Sequence, residues 1–277
     1  MIVFPNSKIN LGLRILRKRQ DGYHDLETVF YPIPLSDTLE ITRYNVYLKT
    51  FTIPFSKSGV VIDGDPSDNL CIKAYRMLRK DFPQISNIQM HLHKAVPAGA
   101  GLGGGSSDAA FTLMLLNKEF KLGLSREQLT SYALKLGSDC PFFIINKPSY
   151  ATGRGEILEP IELNLSAYKI LVVNPGIHIN TGRAFLHIRP SIPELSIKQI
   201  ITGPVERWKD QLVNDFEKWV FPEYREIVDI KDRMYIAGAS FASMSGSGST
   251  VYGLFAKEKD IQVSFPPDYF VRELSLN

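Results

Sequence analysis

Apolar and polar residues alternate near the start of the chain. Ile9, Leu11, Leu13 and Ile15 fall on one face of an extended segment, and Lys8, Asn10, Gly12 and Arg14 on the other. A period of two marks a strand, here one with a buried and a polar face. DTLEITRY (37–44), VYLKTFTI (46–53) and GVVID (59–63) continue as predicted strands, separated by polar or Pro/Gly-containing breaks. PSDNLCIKAYRMLRKDF predicts a helix capped by Ser67 or Asp68. NIQMHLHKAV alternates again through Ile88, Met90 and Leu92. A glycine-rich run follows, then a predicted helix from about Ser106 to Phe120. A second predicted helix begins at Ser125, where Ser125 and Gln128 make a capping-box pattern, and stops near Gly137.

The pattern changes near NKPSYATGRGEILEPI, which predicts a boundary between residues 1–154 and 155–277. Beyond it, YKILVVNP predicts a buried strand. SIKQIITGPVERWKDQLVNDFEKWV predicts helix interrupted at Gly203-Pro204, and ASMSGSGSTVYGLFAK a Gly/Ser turn running into a strand. Strands and helices mix without strict βαβ alternation, so the expected class is α+β in two parts.

Composition narrows this picture only slightly. The 277 residues are 44% hydrophobic and 22% charged, the profile of an ordinary globular protein. A net charge of +3 helps attract anionic substrates but is too small to argue for nucleic acid. No apolar run approaches the roughly 18 residues of a membrane span. The segment MIVFPNSKIN has no basic region followed by an apolar core, and Cys71 and Cys140 have no metal-ligand spacing. A cytoplasmic protein with two free thiols is the expectation.

The chemistry concentrates in VPAGAGLGGGSSDAAFTLMLL (96–116). Gly99, Gly101 and Gly104 satisfy G-x-G-x-x-G, but the dinucleotide version needs an acid about 20 residues on, after a second strand. Glu119 instead falls inside the predicted helix, and no Gly-Lys-Ser/Thr follows. A nucleotide-binding dehydrogenase is therefore a weaker reading. What remains is a loop whose glycines let backbone approach an anion, running into a helix whose first N–H groups are unpaired. Ser107 can offer a hydroxyl to a phosphate or to Mg²⁺. A flexible turn with an ordinary Ser/Asp cap is the plain alternative.

PAGAGLGGGSSDAA resembles the ATP-binding motif of the GHMP kinases. It looks like the version found in the member whose alcohol substrate carries a cytidine diphosphate group. KINLGLRILRKRQDGYHDLETVFYPIPLSDTLEI, LGSDCPFF, ATGRGEILEPI, NPGIHINTGRAF and MSGSGSTVYGLF resemble further motifs of that member in the same order, to about residue 256. The resemblance implies a ribosomal protein S5 domain 2-like N-terminal domain, which binds ATP, and a ferredoxin-like C-terminal domain. It implies ATP- and Mg²⁺-dependent phosphoryl transfer to an alcohol, by a monomer or weak homodimer. Pro97, Gly99, Gly101, Leu102, Gly103, Gly104, Gly105, Ser106 and Ser107 would hold the nucleotide, with Asn69 and Lys94 as further contacts.

Asp139 would be the base, with Lys8 beside it to keep the carboxylate ionised and orient the reacting groups. Asn10 would hydrogen-bond nearby. Tyr23, His24, Thr181 and Phe185 would hold the cytosine end of the substrate. Taken one by one, each residue also has an ordinary explanation: Asp139 a turn residue, Lys8 and Lys94 solvated lysines, Asn69 a helix-start residue, His24 a surface turn and Phe185 core. A mevalonate- or homoserine-type kinase is the near rival, but those substrates carry no base. A non-catalytic RNA-binding module is the remote one. The tail DIQVSFPPDYFVRELSLN is short, and Pro266-Pro267 argues against a long helix in it.

Overall fold

The computed structural model describes residues 1–43, 53–61 and 65–276. VYLKTFTI and the end of GVVID thus lie wholly or largely outside the described residues. The chain forms two compact units, each assembled from separate segments.

The first unit takes residues 1–7, 35–98 and 103–146. Its sheet has the order β1 (Ile2–Val3), β4 (Thr38–Arg43), β6 (Ile88–Lys94), β5 (Phe55–Gly59), with β5 parallel to β6 and the other pairs antiparallel. The alternation in β6 buries Ile88, Met90 and Leu92 as expected. The described residues of the unit also form the α-helices α1 (Leu70–Asp81), α2 (Gly104–Glu119), α3 (Arg126–Leu136) and α4 (Cys140–Ile145). α1 and α2 pack together, and α4 packs on α2 and α3. The Ser125–Gln128 capping box at α3 is formed, an arrangement worth about 1 kcal/mol. Two expectations change. The 66–68 stretch is a short 3₁₀ turn, and Asn69 rather than Ser67 or Asp68 caps α1, its Oδ1 accepting from Cys71 N at 2.9 Å. Gly137 does follow α3, but in extended rather than left-handed backbone.

The second unit takes residues 8–34, 99–102 and 147–277. One sheet has the order β2 (Asn6–Lys18), β3 (His24–Ser36), β7 (Ser149–Thr152), β8 (Ile157–Pro160), with β2 and β3 belonging to this unit for most of their length. The other has the order β10 (Phe241–Met244), β11 (Val251–Ala256), β9 (Tyr168–Asn174), β12 (Phe270–Ser275) and is antiparallel throughout. The tail after the double proline supplies β12, an edge strand. The helical stretch is more broken than Gly203-Pro204 alone implies: after α5 (Thr181–Leu186) come α6 (Ile197–Ile200), α7 (Trp208–Gln211), α8 (Glu217–Glu223) and α9 (Arg225–Ile236). α9 covers β10 and β11, burying Ile227, Ile230 and Met234 in a core with Leu13, Ile15, Val173, Phe216, Val220, Val251 and Phe255. β2 departs from the half-buried strand expected of it. Lys8 and Asn10, on its polar face, are 3% and 2% exposed.

Candidate active site

A buried lysine on a strand needs partners, because desolvating an unpaired ammonium is prohibitive. In the second unit Lys8 Nζ donates to Asn10 Oδ1 at 2.6 Å and to the Gly101 carbonyl at 3.1 Å, and lies over the Phe30 ring. Lys8 N also donates to the Leu102 carbonyl at 3.0 Å, so one residue holds two successive carbonyls of the glycine loop. Asn10 is itself oriented: its Nδ2 donates to Thr28 Oγ1 at 2.9 Å, and its backbone carbonyl accepts from the Tyr252 hydroxyl at 2.8 Å. Ser245 Oγ donates to the same Gly101 carbonyl at 2.8 Å and accepts from Asn10 N at 3.2 Å. Two glycine turns therefore meet here. A Cβ at Gly101 would stand 1.9 Å from the Ser245 carbonyl oxygen, and one at Gly246 would stand 3.2 Å from Gly101 Cα.

The Gly/Ser turn is pinned from beneath. Asn214 Nδ2 donates to the Met244 and Gly246 carbonyls at 2.7 and 2.8 Å, and Asn174 Nδ2 donates to Ser249 and Thr250 hydroxyls. Asn214 and Asn174 are 2% and 5% exposed. Neither was a sequence candidate. Their only signal was an asparagine beside an apolar run, which is too common to single out.

The loop crosses into the first unit after Leu102. Gly103 takes left-handed backbone (φ 70°), and α2 starts at Gly104, two residues earlier than expected. Pro97 and Ser106 are half-buried, and Gly105 is exposed. Ser107 is fully buried, and its Oγ has no hydrogen-bond partner among the described residues. Asp139 is half-buried at the N-cap of α4 without capping it, where the helix end favours an anion. The next residue, Cys140, has a thiol that bonds Ser106 and is pushed up to about 12 by burial, so it is not a nucleophile.

Lys94 is not a solvated strand-end lysine. Its Nζ donates to Asp37 Oδ2 and, at 2.8 Å, to Asp108 Oδ2. Burial works against its charge, but Asp108 and Asp37 outweigh it and hold the amine above its ordinary value. One ammonium faces two carboxylates, and Asp108 is the one pushed toward its protonated form. Its Oδ1 is buried without a hydrogen-bond partner among the described residues, and burial pushes its carboxyl up to about 7, with Asp37 adding to the rise and Lys94 opposing it. Cys71, from α1, faces the same carboxyl.

A carboxyl so raised holds a proton in the folded state that the unfolded chain has already lost, between about pH 4 and 7. Stability from this group therefore falls as pH rises through that window. Asp108→Asn is expected to remove that fall. Melting temperatures from pH 5 to 8 check it: wild type should lose more over the range than the variant, and equal slopes would refute it.

At the substrate end, His24 and Phe185 stack on each other with centroids 5.0 Å apart and planes 14° from parallel. Phe216 meets Phe185 edge-on at 4.9 Å. Burial, then Lys18, lowers the His24 value, so the imidazole is neutral near pH 7. Thr181 Oγ1 bonds Ser247 Oγ at 2.7 Å. Tyr23 is 57% exposed, and the Arg154 guanidinium lies 4.9 Å over its ring. Among the candidates, the geometry joins Lys8, Asn10 and Gly101 in one cluster, and His24 and Phe185 in another. Asn69, in the first unit, caps α1.

The GHMP kinases N terminal domain model matches residues 69–147, and the GHMP kinases C terminal model residues 196–263. The chain is 54% identical over 258 residues to 4-diphosphocytidyl-2-C-methyl-D-erythritol kinase of Bacteroides thetaiotaomicron, covering 93% of both proteins. It is 52% identical over 261 residues to the Bacteroides fragilis enzyme of that name, covering 94% of both. A crystal structure of 4-(cytidine 5'-diphospho)-2C-methyl-D-erythritol kinase superposes with a TM-score of 0.78 at 30% identity, covering 92% of this chain and 90% of that one. A glycine loop entering a helix, a buried lysine on its carbonyls, and relatives alike over nearly their whole length agree: the chain belongs to the GHMP kinase family.

Proposed function

We propose that this chain transfers a phosphoryl group from ATP to the 2-hydroxyl of 4-diphosphocytidyl-2-C-methyl-D-erythritol, a step of non-mevalonate isoprenoid precursor biosynthesis. What carries this reading is the likeness to kinases of that name at 52% and 54% identity over more than nine-tenths of the chain. The domain layout 1–154 and 155–277 is kept as part of it as a division along the sequence, since the two family matches fall on either side of the boundary, while the compact units interleave and place 8–34, 99–102 and 147–154 with the later residues.

Phosphoryl transfer needs alignment and charge neutralisation more than covalent chemistry. Gly99 to Ser107, with Pro97, would cradle the phosphates through backbone N–H groups, and Asn69 would contact the nucleotide at the start of α1. Asp139 would accept the hydroxyl proton. Lys8 would place positive charge at the reacting groups, and Asn10 holds its ammonium in place.

Mg²⁺, when bound, neutralises phosphate charge. The unpartnered Ser107 hydroxyl fits such a ligand role. No group of three or more His, Cys, Asp or Glu able to hold a metal occurs among the described residues, so the ion would arrive with the nucleotide. No helix among the described residues is long and apolar enough to cross a membrane. A cytoplasmic monomer or weak homodimer without nucleic-acid partners fits the reading.

The aromatic cluster decides between this substrate and the base-free ones of mevalonate- or homoserine-type kinases. Tyr23, His24, Thr181 and Phe185 would hold cytosine, and stacking a base on an aromatic ring is worth about 1–3 kcal/mol. Titration with cytidine diphosphate should therefore saturate, and Phe185→Ala should weaken it by about ten- to hundredfold. ATP binding with no saturable cytidine diphosphate binding would remove the substrate assignment and leave the kinase.

A further inference from the structure

The glycine loop leaves β6 at Lys94 and runs into α2, whose second turn carries Asp108, and these two side chains are in direct contact at 2.8 Å. The same ammonium is bonded to Asp37, which precedes β4. Asp37 in turn accepts the loop's first two amides: Ala95 N and Val96 N donate to its Oδ1 at 2.7 and 2.9 Å. The side chains of Lys94, Asp37 and Asp108 are 2%, 0% and 4% exposed. Gly104, the first residue of α2, packs onto them: a Cβ there would stand 3.2 Å from Lys94 Nζ and 3.5 Å from Asp37 Oδ2. All of these contacts lie within the first unit.

We propose that Asp37, Lys94 and Asp108 form a latch that holds both ends of the glycine loop in its phosphate-binding shape before nucleotide arrives. Lys94 is then a positioning residue, acting through the loop rather than on the nucleotide. A stretch this rich in glycine has the most backbone freedom to lose on ordering, and a loop ordered in advance spares binding that cost. The near-complete burial of Lys94 fits this role and not direct contact, since its ammonium is already committed to two carboxylates. The inference rests on the reading of the loop as the ATP phosphate cradle.

The test measures ATP affinity, cytidine diphosphate affinity and melting temperature for wild type, Asp37→Asn, Lys94→Met and the double variant. The latch predicts that each single variant loses about tenfold or more in ATP affinity, and that the double loses no more than the worse single, because all three break one coupled set. Cytidine diphosphate affinity should stay within about twofold, which a general loss of structure would not allow. If Lys94→Met loses affinity while Asp37→Asn keeps it, Lys94 contacts nucleotide directly and the latch is wrong. If both keep it and only the melting temperature falls, the set is structural and the latch is wrong again. A wild type that binds no ATP overturns the cradle reading itself.

Should the variants not fold, amide exchange on the nucleotide-free wild type decides. Protected Ala95 and Val96 amides support the latch, and exchange at the rate of open coil refutes it.

Discussion

Asp139→Asn is expected to lower the turnover of phosphoryl transfer by about 10²–10⁴-fold, the usual worth of a general base. ATP affinity should stay near wild type. The substitution keeps the shape of the side chain and removes its ability to take a proton. The Asp139 side chain does not cap α4. That helix is held by other means: Phe142 and Phe143 are 1% and 0% exposed, and the Cys140 thiol bonds Ser106 at the start of α2. An interaction made only in the transition state lowers kcat and kcat/KM together, whereas one made in the ground state raises KM. The steady-state constants of the variant separate these two cases. Turnover within a few-fold of wild type would remove Asp139 from the role of essential base.

Gly101→Ala is expected to have the largest effect outside the reacting groups. Gly101 sits at φ +81°, a conformation L side chains rarely adopt, and a Cβ would stand 1.9 Å from the Ser245 carbonyl oxygen and 2.8 Å from its carbon. The obstacle is backbone rather than a flexible side-chain end. It has little room to give way, because Asn214 holds the carbonyls on both sides of Ser245. The strained backbone alone costs about 1–3 kcal/mol.

The larger consequence is displacement of the loop. Moving Gly101 breaks its carbonyl away from Lys8 Nζ and Ser245 Oγ together. The variant should melt lower and lose at least about thirtyfold in ATP affinity, from two charge- or hydroxyl-donated bonds at about 1–3 kcal/mol each. Gly105→Ala is the control, since nothing lies within 4 Å of a Cβ there and its φ is not in the left-handed region. It should melt like wild type. Wild-type stability and ATP affinity in Gly101→Ala would show that the two turns do not depend on their close approach.

Several features were legible in the sequence because they depend on local pattern. The capping box at Ser125, the alternation of β6 and the strand YKILVVNP needed only short-range chemistry. The features that were missed depend on what packs against a residue. Period-two alternation placed Lys8 and Asn10 on a polar face, but whether that face meets water depends on Ser245 and Gly101, more than 90 positions away in sequence. Lys94 is a different case, because the signal was present. It continues the register of Ile88, Met90 and Leu92 and so belongs to the buried face of β6; its charge obscured a parity that was correct. Its partners, Asp37 and Asp108, come from 57 and 14 residues away in sequence, and no local rule joins them. Asn69 was legible as a helix-start residue but not as the cap itself, because the 3₁₀ turn at Pro66–Asp68 moves the start of α1 beyond Asp68.

The catalytic reading meets its most direct test in one assay. Labelled γ-phosphate on ATP is supplied with Mg²⁺ and, in parallel, with 4-diphosphocytidyl-2-C-methyl-D-erythritol, mevalonate and homoserine. The expected result is label on the 2-hydroxyl of the first compound alone, and none there with Asp139→Asn over the same time. Transfer to mevalonate or homoserine in its place, or to none of the three by folded protein that binds ATP, would contradict it.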